Sequence, residues 1–69
     1  MRVKYFADTD IALLEFSTNP PVETREVNEN IYIDLDSKGR VVSMIIEHAG
    51  QAGDMNEFLF QRIPATVPA

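Results

Sequence analysis

The chain has 69 residues, no cysteine and a formal net charge of −5, with a pI of about 4.5. That length allows one domain at most, burying only about 60% of the surface its unfolded form exposes. Without thiols there are no disulfides and no thiolate metal centres. Six basic residues scattered among eleven acidic ones make no patch for phosphate, which speaks against direct nucleic-acid binding and against attraction to anionic membranes.

Small domains that lack disulfides and metal gain stability from a partner chain, so a homo-oligomer, a dimer, is expected. A small basic protein would also suit the negative charge, through steering more than affinity. The N-terminus "MRVKYFADTD" has charges in its first ten residues and no apolar run of signal-peptide length. No stretch approaches the length of a membrane span. The expectation is a soluble, cytoplasmic protein.

In chain order, Arg2 to Phe6 alternates Arg2/Lys4 with Val3/Tyr5 and reads as an outer strand. "ADTD" turns it. Ile11 to Phe16 is nearly all apolar, a strand buried on both faces or nearly so, and closes a first hairpin. Pro20 and Pro21 break the pattern. Val22 to Val27 is polar and extended, an edge strand or strand-like loop whose Glu23, Arg25 and Glu26 guard against unwanted pairing. "NIYIDLD" is the clearest strand, with Ile31, Ile33 and Leu35 on one face and Tyr32, Asp34 and Asp36 on the other. "SKGR" turns the chain into Val41 to Ala49, a β-branched strand whose two faces are both largely apolar, so that something should cover the second face. "GQAG" ends the sheet. Asp54 and Glu57 then form an Asp-x-x-Glu capping pattern, and Met55, Phe58, Leu59 and Ile63 recur at helical spacing up to Pro64. A helix is expected here, against the rival of a further strand "EFLFQRI". The expected organisation is one domain over 1–63 and a flexible tail over 64–69. The expected fold is α+β, mainly β: an antiparallel four- to five-stranded meander with a short C-terminal helix.

Candidate chemistry is sparse. "DLDSKG" imitates the start of a calcium loop, with Asp34, Asp36 and Gly39 in the first, third and sixth places. Lys38 then stands where the fifth place needs an oxygen, and Ile45 where the twelfth needs a bidentate Glu. The same residues make a hairpin loop without strain: Asp36 and Ser37 initiate a turn and Gly39 supplies positive φ. His48 is the only histidine and reads as a surface or interface residue. Asp8 and Asp10 share a face if their turn is extended, yet nothing in "FADTDIA" supplies a nucleophile or a pocket, so they read as turn residues. No catalytic residue, cofactor site or metal site is expected. Phe60 falls off the stripe made by Met55, Phe58 and Leu59, and these four residues are the candidate interface.

The series "KYFADTDIALLEF", a polar stretch with "ETREV", and "IYIDLDSKGRVVSMIIEHA" resemble domain-of-unknown-function family 2283 over residues 2–49. Lys4, Tyr5, Asp8, Asp10, Leu13, Asp34, Asp36, Gly39, Val41, Ile45 and Glu47 occupy matching places. Ile11 ahead of Ala12, and His48 in place of an apolar residue, depart from the pattern. The resemblance implies a small bacterial or archaeal β-rich protein with no established activity. It also implies an antitoxin-like role, since some relatives stand beside small toxin-like proteins of the ribonuclease-fold type that inhibits translation. The expected function is a non-enzymatic interaction module, antitoxin-like toward a small basic toxin. The alternative is a small ligand-binding protein or enzyme, with Asp8, Asp10 or His48 at a dimer interface.

Overall fold

A computed structural model describes residues 1–66. Five strands form one antiparallel sheet: β1 (Arg2–Phe6), β2 (Ile11–Glu15), β3 (Glu23–Asn28), β4 (Ile31–Leu35) and β5 (Val41–Glu47), followed by the one-turn helix α1 (Ala49–Ala52). The spatial order is β1-β2-β5-β4-β3. A first hairpin and a three-stranded meander are therefore joined through β2 and β5, and the β-branched strand lies at the centre. The polar segment is an edge strand, exposed at every position.

Cross-strand partners share a face, so the register sorts the side chains. Tyr5, Ala12, Ile46 and Ile31 form one row, and Val3, Leu14, Met44 and Ile33 the next, on the same face. The opposite face carries Lys4, Leu13, Ile45 and Tyr32, then Arg2, Glu15, Ser43 and Asp34. The sheet is a single layer. Among the described residues Ala12, Leu35, Val42 and Ala49 are the buried apolar ones, and no large side chain is fully buried.

The link from β2 to β3 must pass the ends of β5 and β4. It is held there by Phe16 N–H donating to the Val42 carbonyl at 2.8 Å and Val22 N–H donating to the Leu35 carbonyl at 2.8 Å. Asn19 Nδ2 adds a bond to Asp36 Oδ2 at 3.2 Å. Pro20 and Pro21 lie in this link, where no ladder bond is asked of them.

A short helix follows the sheet, but not where the Asp54 capping pattern places it. β5 ends at Glu47, His48 takes a left-handed conformation (φ 54°), and the single turn Ala49–Ala52 comes next. From Asp54 onward the described chain is neither helix nor strand. The reason is local. The Asp54 carboxylate accepts from the backbone N–H of Asn56 at 2.9 Å and from Asn56 Nδ2 at 3.1 Å, and a turn closed on itself in this way competes with a helix. A nine- or ten-residue helix also needs tertiary packing to persist. Residues 67–69, part of the expected tail, lie outside the described residues.

The loop between β4 and β5 depends on Gly39, at φ 77°. Gly39→Ala is expected to cost about 1 kcal/mol by forcing a side chain into the left-handed region, seen as a lower urea midpoint with unchanged m-value.

Candidate functional site

Each carboxylate that looked capable of chemistry is already engaged. Asp36 is 8% exposed. Its Oδ1 accepts the backbone N–H groups of Lys38 and Arg40, both at 2.9 Å, while its own carbonyl accepts Gly39 N–H at 3.0 Å. The Arg40 N–H foremost, then that of Lys38 and the amide of Asn19, hold the Asp36 carboxyl below its ordinary value of 3.8. Asp34 accepts from Thr24 Oγ1 at 2.6 Å and from Ser43 Oγ at 2.8 Å, so it ties β3, β4 and β5 together on one face. β4 and β5 pair across this loop with Gly39 at positive φ, and the hairpin reading of "DLDSKG" stands.

Asp10, left-handed at φ 56°, is the hub of a second cluster. Its Oδ1 accepts the Tyr5 hydroxyl at 2.7 Å and the Gly50 N–H at 2.8 Å. Its carbonyl accepts Ala49 N–H at 3.0 Å. Two of these bonds, from the Ala49 and Gly50 N–H groups, fasten α1 to the first hairpin, while the Tyr5 bond holds the Asp10 carboxylate in place, and Ala49 is only 1% exposed beneath this clasp. The Tyr5 hydrogen bond, then the Gly50 N–H, lower the Asp10 pKa, and the same bond to Asp10 raises that of Tyr5. A Cβ on Gly50 would stand 3.0 Å from Asp10 Oδ1, so glycine permits the approach. Asp8 does not join this cluster: its Oδ1 accepts the neighbouring Thr9 N–H at 3.0 Å. The sequence reading missed Tyr5 and Gly50 as partners of Asp10. Forty positions separate Asp10 from Gly50, and no local spacing signals the contact.

His48 is exposed, and its Nδ1 lies 3.0 Å from Asn30 Oδ1. It borders an open recess of about 370 Å³ with Glu29, Asn30, Glu47 and Gln51. Asp8 and Asp10 do not line this recess. Among the described residues no three His, Asp or Glu side chains gather to hold a metal ion.

The candidate interface residues behave differently. Met55 is half-buried, with its Cε close to Gly53. Phe58, Leu59 and Phe60 are 60, 76 and 73% exposed, and Ile63 is 83% exposed. Phe58 and Phe60 share a groove of about 350 Å³ with Met1 and Val3. The pairing with Val3 had a signal in the N-terminal alternation, where Arg2 and Lys4 leave the odd positions apolar. No helix among the described residues is long and apolar enough to cross a membrane.

A single five-stranded antiparallel sheet with one short helix places the molecule among small, mainly β proteins. Residues 2–49 match the model of the family described as protein of unknown function (DUF2283), and the chain belongs to that family. No curated protein and no solved structure matches it.

The Asp10 clasp sets a pH window. A depressed carboxylate adds stability that is present above its unfolded value of 3.8 and lost as the pH falls through its folded value. A raised phenol adds stability that is present below its unfolded value of 10.0 and lost as the pH rises through its folded value. The wild-type advantage over Asp10→Ala in thermal melts should therefore be greatest between these limits and shrink toward both. In amide exchange, Asp10→Ala should release the Gly50 N–H by about tenfold or more while leaving β4 and β5 amides protected.

Proposed function

We propose that this chain is a non-enzymatic protein-interaction module of the prokaryotic cytoplasm. Its working surface is the apolar sheet face together with Phe58, Leu59 and Phe60. The observation that carries this reading is the contrast between the two kinds of candidate. The carboxylates are consumed by structural hydrogen bonds, whereas Phe58 and Phe60 present large apolar surface to solvent beside Met1 and Val3. Aromatic side chains of that kind are enriched at the centres of protein interfaces.

The specific version is an antitoxin-like neutraliser of a small basic toxin. The net charge of −5 supports it, as does the placement of acidic residues. Glu26 and Glu47 share a sheet face with Tyr32, and Glu47, Glu26 and Glu29 all lie close enough to Tyr32 to raise its pKa, after burial as the larger cause. A cation approaching that face meets several carboxylates and few competing bases, which raises its encounter rate at low salt.

The test is recovery of tagged protein from its own host at low salt, with mass spectrometry of what accompanies it. A stoichiometric small basic protein is expected. The double substitution Phe58→Ser with Phe60→Ser should reduce its recovery at least tenfold. Because both residues are exposed, stability should change by no more than about 0.5 kcal/mol per site. Asp10→Asn and His48→Ala should leave recovery intact. Loss of recovery only with His48→Ala would instead favour a ligand site at the recess bordered by His48. Recovery of the chain alone would overturn the basic-partner reading.

A further inference from the structure

We propose that the sheet face bearing Val3, Leu14, Met44 and Ile33 is the seat of a second copy of this chain, packed sheet on sheet about a two-fold axis. The proposal rests on the interaction reading for its surface and names the occupant.

Area is the first argument. The accessible surface is 5756 Å², whereas a compact monomer of 7.8 kDa exposes roughly 4,400 Å². The radius of gyration is 14.6 Å, against about 11 Å for a compact chain of this length. The extended segment after Gly53 contributes to both, and its exposed Phe58 and Phe60 border this face at Val3. The excess of about 1,400 Å², which this segment shares with the sheet, is of the order of the roughly 800 Å² that each partner contributes to a standard stable interface. With no large side chain fully buried among the described residues, a second layer supplies the core that one copy lacks.

Charge is the second argument. Among the strand residues of this face, charges enter only on the edge strand β3, as Glu23 and Arg25 opposite Leu35 and Ile33, and Asp10, at the end of the face, is engaged by Tyr5 and Gly50. Glu23 and Arg25 neutralise each other, with Arg25 Nε 3.1 Å from Glu23 Oε1. A neutral apolar face suits an identical copy, because a two-fold axis sets each patch against itself. It adds no net charge of its own to steer a basic partner. The opposite face is charged, with Lys4 paired to Glu15 at 3.0 Å and Asp34, Glu26 and Glu47 nearby. Stacked sheets lie about 10 Å apart, close enough for Met44 and Ile33 of two copies to interdigitate.

The experiment uses the purified full-length chain, so its failure is separate from failure to find a partner in the host. Val3 and Phe6 are both on edge strand β1, on opposite faces, and similarly exposed at 39 and 44%. Sedimentation at micromolar concentration should give twice the monomer mass for wild type and Phe6→Glu. Val3→Glu should give the monomer mass. A gentler pair guards against misfolding: the chain has no native cysteine, and Met44 and Ile45 are neighbours on the central strand facing opposite ways. The thiol of Met44→Cys should react at least tenfold more slowly with an aqueous alkylating reagent than that of Ile45→Cys, and the difference should vanish on dilution below the dimer dissociation constant. A monomeric wild type, dissociation by Phe6→Glu but not Val3→Glu, or equal thiol rates in the associated state would overturn the proposal.

Discussion

β5 is the strand on which the rest of the molecule hangs. It pairs with β2 on one side and β4 on the other, and so joins a three-stranded meander to a two-stranded hairpin that alone is marginally stable at best in water. Its side chains reach both faces, Met44 and Ile46 on one and Ile45 on the other. An apolar central strand makes both faces apolar at the middle. The difference between the faces is made farther out, by what β1, β3 and β4 contribute. The face shared with Ile45 becomes polar through Lys4, Glu15, Asp34 and Glu26. The face shared with Met44 stays apolar through Val3, Leu14 and Ile33 and turns polar only at β3.

The carboxylates act as clips for a sheet too small to be held by packing alone. Asp36 secures the β4–β5 loop and the crossing link, Asp34 binds three strands side to side, and Asp10 fastens the helical turn to the first hairpin. Where these bonds shift a pKa, at Asp10 and Asp36, the shift is downward. A general acid working near neutrality needs the opposite, a carboxyl raised by burial or by a like charge. Their hydrogen-bonding capacity therefore serves structure, and the exposed apolar surface is left as the feature without an internal partner.

The strands were legible because each has a local signature. Alternation marked β1 and β4, β-branched residues marked β5, and the glycine and aspartates of "DLDSKG" marked the hairpin loop. The faces of β4 also followed from period two. The helix was not legible in the same way. "DMNEFLFQRI" fits a helical stripe, but Asp54 closes a turn on Asn56 instead of capping a helix. The real turn, "AGQA", is held by contacts to Asp10 that no short window contains. The candidate interface residues were identified by their chemistry. Their setting beside Met1 and Val3 depends on where the chain goes after Gly53, which is a tertiary matter.

The distribution of charge decides which kind of association this sheet permits. Its two edges are poor templates for strand addition. β3 carries Glu23, Arg25 and Glu26 and a bulge around Val27, and β1 carries Arg2 and Lys4 exposed. Charges and bulges on edges oppose the open-ended pairing that leads to aggregation. A face does not propagate in that way. Once one apolar face is closed by its equivalent in another copy, what remains outward is the charged face of each sheet, and growth stops at two. The same arrangement leaves that charged face, and its carboxylates, free for a different partner.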